Sequence, residues 1–197
     1  MAILQPTHRP ILNSSAQLLI LPVNTAGVLL DSVLIRTKTL FADNYQRYYR
    51  ACRDGNLNVG SCLLHKRALE QSGLGVSSNG NQPIYIANLV VSDHPYHPVR
   101  LCGLRRALID LQQQLIPLIR YQGIRRASLL TRPLIFHHSQ DNANANANAN
   151  ANDDTANTTA KVLSLDWRAD VLPLVTQQLQ NVPKLYIDIH LPKNISI

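Results

Sequence analysis

The stretch Gln17-Leu-Leu-Ile-Leu-Pro-Val23, followed by the turn Asn24-Thr-Ala-Gly27, decides the fold. A short, almost wholly apolar run is typical of a strand buried on both faces, as in parallel sheets covered by helices. After Leu29 the apolar side chains recur every three or four positions as far as Phe41, which predicts a helix. Asp31 and Ser32 are the residues expected to begin and cap that helix. A buried strand that leads through a turn into a helix is the unit of an α/β fold.

The rest of the chain repeats this alternation of strands and helices. We predict further strands at 60–65, 83–91, 127–131 and 184–190, and further helices at 43–52, 100–121 and 166–179. Asp43 and Asp166 are the predicted N-caps of two of these helices, and Pro117 is expected to kink or end the third. The order of elements predicts an α/β fold with helices on both sides of the sheet.

Three segments are expected to differ from the packed domain. Residues 1–10 contain two prolines and little pattern, so we predict a loose N-terminal arm followed by one domain over 11–197. The Asn/Ala-rich segment at about 139–161 cannot bury apolar surface and is predicted to be a disordered insertion within that domain. The Gly-, Ser- and Asn-rich segment 73–83 is predicted to be a loop.

Composition limits the class of protein. The 197 residues carry a net charge of +7, and 45% of them are hydrophobic, which is typical of a single globular domain. No apolar run approaches the ~20 residues of a membrane span, and no signal peptide is evident. Three scattered cysteines argue against a disulfide framework and favour the cytoplasm. Asp110 is the only acid between Arg100 and Arg132, so this basic stretch predicts either a solvated helix face or a surface that attracts phosphates.

Several segments together resemble the macrodomain family, in particular the branch of DNA ADP-ribosylglycohydrolase antitoxins and terminal ADP-ribose hydrolases. The similar segments are Leu19–Val28, Phe41–Gly60, Ile86–Asn88 and Ser164–Val175, the last containing the specific Leu165-Asp-Trp167. The resemblance implies a macrodomain-like three-layer α/β/α sandwich with a mixed central sheet. It also implies ADP-ribose or ADP-ribosylated DNA as ligand and a cognate toxin as protein partner, with no cofactor and no membrane.

The resemblance implies the site residues as well. Ligand-binding roles fall on Asn24, Thr25, Gly27, Val28, Ser32, Pro133, Leu134 and Asp166. The implied catalytic residues are Asn24, which would position a ribose or a water, and Ser92, which stands where the family has a lysine. For Asn24, the alternative interpretation is a turn residue that satisfies the local backbone.

The loops that bind diphosphate in the family depart from its pattern here. The first loop, Gly27-Val-Leu-Leu-Asp-Ser32, keeps one glycine and has Asp31 at the position of the family's lysine. No glycine follows Gly123, although the family's second loop is glycine-rich. Glycine lets backbone N–H groups approach a diphosphate closely, and an acid beside a diphosphate repels it.

We therefore expect a macrodomain-like binding or interaction module with a degenerate pocket and impaired or absent hydrolysis. Two alternatives stay open: an active ADP-ribosyl glycohydrolase of the antitoxin type with a remodelled site, and a basic nucleic-acid-binding module. Four of the seven histidines could lie near one another in loops, but they lack cysteine or carboxylate ligands at metal-site spacing, so no metal site is predicted. They are His94, His97, His137 and His138.

Overall fold

A six-stranded sheet forms the centre of the molecule. The computed structural model describes residues 1–67, 83–135, 165–193 and 195. The strands follow the order β1-β6-β5-β2-β4-β3 across the sheet. Only β3 is antiparallel to its neighbour, β4; the other neighbouring strands are parallel. The strands are β1 (Ile3–Thr7), β2 (Leu18–Asn24), β3 (Cys62–Lys66), β4 (Tyr85–Ser92), β5 (Arg126–Leu130) and β6 (Tyr186–His190).

Helices cover both faces of this sheet. Leu18 and Ile20 of β2 belong to a core shared with the central and C-terminal helices α3 and α5. The alternate residues Leu19 and Leu21 pack instead into a second core with Leu34 of α1. The expected three-layer arrangement with a mixed central sheet is therefore confirmed. The helices are α1 (Ser32–Leu40), α2 (Ala42–Arg53), α3 (Leu101–Tyr121), α4 (Arg132–Ile135) and α5 (Leu172–Leu179).

Two short helical turns of the structure are not α-helical. A 3-10 turn, Ile11–Asn13, follows β1, and a π-helical turn, Trp167–Val171, leads into α5. Asp166 caps that turn by accepting a hydrogen bond from the backbone N–H of Ala169 at 2.6 Å. The predicted capping role of Asp166 is thus confirmed.

Two sequence-based expectations are wrong, and one of the two alternatives in a third is ruled out. Residues 3–7 are not a loose arm, because they form β1 and pair in register with β6. Asp43 is not an N-cap but lies in the first turn of α2, where its carboxylate bonds His65 at 2.8 Å. Pro117 does not end α3, which continues to Tyr121; the helix tolerates the lost N–H within its last two turns.

Two predictions concern residues that the structure does not describe. The predicted disordered insertion at about 139–161 falls entirely outside the described residues, and so does the predicted loop at 73–83 apart from Pro83. His137 and His138 also lie outside the described residues. Among the residues that are described, no helix is both long and apolar enough to cross a membrane.

Candidate functional site

The candidate site lies where β2 and β4 end. Asn24 and Ser92 are the last residues of these adjacent parallel strands and are partners in register. Ligands of α/β proteins bind at this carboxyl edge of the sheet. Both side chains line a cavity of about 70 Å³, which we call the small cavity. Its other walls are mostly aliphatic, and they include Val28, Leu30, Leu34, Val91 and Val99.

The side chain of Asn24 is held in place by the first loop. Its Nδ2 donates to the Val28 carbonyl at 2.6 Å, and its Oδ1 accepts from the Val28 N–H at 3.3 Å. Its own carbonyl accepts from the Tyr48 hydroxyl at 2.6 Å. Burial raises the pKa of Tyr48 well above its ordinary value, so this hydroxyl stays protonated and remains a donor. Asn24 is 4% exposed and fixes the turn that follows β2.

Asp31 occupies the N-terminus of α1 with its own carboxylate. Oδ1 accepts from the backbone N–H groups of Val33 at 2.8 Å and Leu34 at 3.3 Å. Oδ2 lies 3.2 Å from Nε of Arg132, which begins α4 and also lines the small cavity. Arg132 also donates to the hydroxyl of Ser32 at 3.4 Å. The first N–H groups of a helix attract anions, and here a residue of the chain itself satisfies them.

A second cavity of about 550 Å³ adjoins the small one, and we call it the large cavity. Arg132 lines both cavities. Arg9 and Lys193 add two further cationic side chains to the lining, and no acidic side chain is among the described lining residues. Ile11, Val33, Leu130 and Leu191 supply apolar walls. A cavity with these dimensions, apolar walls and cationic groups suits a planar ring that carries phosphate.

The structure brings four of the nine predicted site residues to one place. Asn24, Val28, Ser92 and Pro133 all line the small cavity. Ser32 does not line it, but its hydroxyl accepts a hydrogen bond from Arg132, which does.

The other predicted residues lie in the turn or away from the cavity. In the turn after β2, Thr25 donates its hydroxyl hydrogen bond to the Asp93 carbonyl, and Gly27 has φ 74°. A Cβ at Gly27 would come within 3.1 Å of the Tyr49 ring, so the turn requires glycine there. Leu134 is fully buried in the main core, and neither it nor Asp166 lines the small or the large cavity. The ligand-binding roles of these residues stay predictions.

Sequence reasoning missed the ion pair between Asp31 and Arg132 in the lining of the small cavity. The sequence identifies Asp31 as a cap and as an acid in the first loop, but its pairing with Arg132, 101 positions later, has no local signal. His97, which lines the small cavity, sits in the loop after β4 beside His94, with ring centroids 5.6 Å apart. Among the described residues, no group of three or more His, Cys, Asp or Glu side chains could hold a metal ion.

The strand order and the helices on both faces of the sheet give this chain the fold of macrodomains. The macrodomain of Thermus aquaticus DarG matches with a TM-score of 0.68 at 22% identity, covering 98% of this chain and 100% of that one. The macrodomain of Mycobacterium tuberculosis DarG gives the same TM-score at 18% identity. Thermosipho africanus DarTG in complex with ADP-ribose also gives 0.68, at 20% identity, with 99% of this chain and 43% of that one covered.

Among macrodomains, the similarity is to the DarG type. In sequence, the chain is 31% identical over 124 residues to a DNA ADP-ribosyl glycohydrolase of Thermus aquaticus. That match covers 63% of this chain and 30% of the relative, so the chain spans about a third of that protein's length. No family model matches the chain.

Proposed function

We propose that this macrodomain binds a nucleoside diphosphate such as the ADP part of ADP-ribose and does not hydrolyse an ADP-ribosyl bond efficiently. The large cavity would hold the base and the phosphates, and the small cavity would not admit the terminal ribose. The observation that carries this proposal is the Asp31 carboxylate, which occupies the α1 N–H groups and pairs with Arg132 across the small cavity.

Size and charge both support this division of the cleft. A site for a drug-sized ligand is usually a cavity of roughly 300–1,000 Å³. The large cavity, at about 550 Å³, falls in that range, and the small cavity, at about 70 Å³, does not. The large cavity presents the cationic side chains of Arg9 and Lys193 to a phosphate, whereas in the small cavity Arg132 is already paired with the buried carboxylate of Asp31. A diphosphate is therefore attracted more strongly to the large cavity.

The residues at the end of β4 support a loss of hydrolysis. Ser92, at the position of the family's lysine, is 8% exposed and supplies a neutral hydroxyl. Asn24 is held by Val28 through both atoms of its amide, which commits one donor and one acceptor of that side chain to the first loop. Ser92 itself supplies neither a base nor a cation at the position where the family has a lysine.

Two titrations test the proposal. ADP and ADP-ribose are titrated separately into the protein by calorimetry, with adenosine as the control that lacks phosphate. We expect ADP and ADP-ribose to bind within about twofold of one another, because the terminal ribose adds no contact. An ADP-ribose affinity more than about tenfold above that of ADP would place the ribose in the small cavity and overturn the proposal.

A basic nucleic-acid-binding role is the second candidate, and one further cavity favours it. A space of about 460 Å³ adjoins the small cavity through Val91, Ser92 and His97. Arg100 and Arg106 line it, against the single acid Asp93. This arrangement suits the backbone of a nucleic acid that enters the cleft from that side. Binding of a single-stranded DNA should then weaken steeply with salt, and R100Q/R106Q should reduce the salt dependence.

A further inference from the structure

A further cavity of about 450 Å³ adjoins the large cavity, and we call it the polar cavity. Arg9, Pro10 and His190 line both cavities, so the two spaces share a wall. Each of them falls within the roughly 300–1,000 Å³ of a site for a drug-sized ligand. A ligand that fills both has two parts of about that size, joined at the shared wall.

One face of the half-sheet formed by β1, β6 and β5 lines the polar cavity. In register, Gln5 pairs with Asp188, which pairs with Ser128, and Ser128 pairs with Leu19 of β2. Partners in register share a face of the sheet, because successive residues of a strand point to opposite faces. Leu19 packs under α1, whereas Gln5 and Asp188 line the polar cavity. The row thus changes from apolar to polar where it leaves the helix and reaches the cavity.

Arg9 stands at the shared wall with its main chain fixed on both sides. Its N–H donates to Oγ1 of Thr7 at 3.2 Å, and its carbonyl accepts from Nδ1 of His190 at 2.7 Å. The ring of His190 is held in turn, since its Nε2 lies 3.1 Å from the hydroxyl of Ser128. His190 is 6% exposed, and the side chain of Arg9 is exposed. A mobile cationic side chain is therefore carried on a rigid support.

The loop that follows Arg9 is tied down as well. The hydroxyl of Ser14 lies 2.7 Å from that of Ser128 in β5. Within the loop, the N–H of Asn13 donates to the carbonyl of Pro10 at 3.0 Å. These bonds fix the loop before a ligand arrives, so that little free energy of binding is lost in ordering it.

The charges of the two cavities favour a phosphate at the shared wall. Among the described residues, no carboxylate lies within ion-pair distance of Arg9. The other two arginines of these cavities are already paired, Arg132 with Asp31 and Arg126 with Asp188. The planar guanidinium of Arg9 is thus available for two oxygens of one phosphate.

We propose that the large and polar cavities form one groove that binds a dinucleotide, with Arg9 contacting the phosphodiester between the two nucleotides. The inference rests on the proposed function, because the first base and its 5′-phosphate occupy the large cavity. The second sugar and base occupy the polar cavity, whose hydroxyl and amide groups both donate and accept hydrogen bonds, as the sugar hydroxyls do. Those groups belong to Gln5, Thr7, Asn13, Ser14 and Ser15.

Calorimetry on the whole protein with a graded set of ligands tests the proposal. The ligands are AMP, adenosine 3′,5′-bisphosphate and the 5′-phosphorylated diadenylate pApA, which share the same first nucleotide. The bisphosphate should bind at least about tenfold more tightly than AMP, because its second phosphate gains a charge-assisted contact with Arg9. The dinucleotide pApA should bind more tightly again, by at least about threefold, because its second nucleoside fills the polar cavity.

The variant Arg126→Gln separates the two halves of the groove. Arg126 lines the polar cavity and not the large one, and its loss leaves the carboxylate of Asp188 unpaired beside the ligand. The affinity for pApA should fall by at least about threefold, while that for AMP should not change. The matched control Arg120→Gln removes the same charge from the exposed end of α3 and should change neither affinity.

Nuclear magnetic resonance gives a readout that does not depend on affinity. The side-chain amide signals of Gln5 and Asn13 should shift when pApA is added and stay in place when AMP is added, because both side chains line the polar cavity and neither lines the large one.

The outcomes distinguish this inference from the proposed function. If ADP binds but pApA binds no more tightly than the bisphosphate, the polar cavity takes no second nucleotide and only the dinucleotide proposal is overturned. An Arg126→Gln protein that keeps its full affinity for pApA would overturn it as well. If neither ADP nor any of the three test ligands binds, the proposed function fails and this inference fails with it.

Discussion

Replacing Asp31 with asparagine tests whether its carboxylate opposes the binding of a phosphate at the small cavity. The amide oxygen of asparagine can still accept from the N–H groups of Val33 and Leu34, so the cap is retained. The negative charge and the ion pair with the half-exposed Arg132 are lost. Because exposed or half-exposed ion pairs contribute about 0–1 kcal/mol, unfolding should become easier by less than about 1 kcal/mol.

Asp31→Asn should strengthen ligand binding, and by more free energy than it removes from the stability of the fold. A phosphate about 4 Å from a carboxylate is repelled by about 1 kcal/mol per pair of unit charges in water, and by about 4 kcal/mol at an effective dielectric constant of 20. Even the lower figure corresponds to about a fivefold gain in affinity when the charge is removed. Asp31→Asn also frees Arg132 to contact the phosphates. Both ADP and ADP-ribose should therefore bind at least about fivefold more tightly in calorimetry.

A matched control separates the local charge from the overall charge. Asp54→Asn makes the same change in net charge at the exposed C-cap of α2, where Asp54 pairs with Arg53. It should leave both affinities unchanged. If folded Asp31→Asn bound ADP no more tightly than the wild type, the carboxylate would not be what limits the cleft, and the reasoning would be refuted.

Three further predictions concern Arg132 in the cleft, Tyr48 beside the first loop, and the titration of His190. Arg132→Gln should weaken ADP binding by about tenfold in calorimetry, since it removes a cation that lines both cavities. The control Arg120→Gln removes one positive charge from the exposed end of α3 and should leave ADP binding unchanged. Tyr48→Phe should lower the free energy of unfolding by about 1–3 kcal/mol in urea denaturation, because the buried Asn24 carbonyl loses the hydroxyl that donates to it at 2.6 Å. An unchanged urea midpoint would contradict this prediction. Because burial lowers the pKa of folded His190, the unfolded chain binds the proton first. The contribution of His190 to the free energy of unfolding should therefore be fully present above about pH 6.5 and be lost as the pH falls through the pKa of the folded state. The measurement is the urea midpoint as a function of pH, and a midpoint that rose on acidification would contradict the prediction.

Local patterns were sufficient to predict most of the fold. The apolar run 17–23 predicts β2, whose residues are all buried, and the three-to-four spacing predicts α1 and α3. β1 was missed because its sequence, Ile-Leu-Gln-Pro-Thr, has neither alternation nor an apolar run. It is an edge strand whose stability comes from pairing with β6, 183 residues later, and an edge strand tolerates proline.

The candidate site was predictable only in part. Asn24 and Ser92 could be placed because each follows a predicted strand, and parallel strands end at one edge of the sheet. The pairs that decide its chemistry join distant positions. Asp31, after β2, meets Arg132, after β5, only because the sheet order places β5 beside β2. A single sequence contains no signal for such contacts.

The most direct test of the central claim is a single-turnover assay with the protein in molar excess over an ADP-ribosylated DNA oligonucleotide. Free ADP-ribose and the modified oligonucleotide are quantified by chromatography over several hours, beside a binding measurement on the same samples. Our account predicts that the protein retains the oligonucleotide and that ADP-ribose is released no faster than in buffer alone. Release well above the buffer rate, abolished by Asn24→Ala, would contradict it and identify the chain as a working hydrolase.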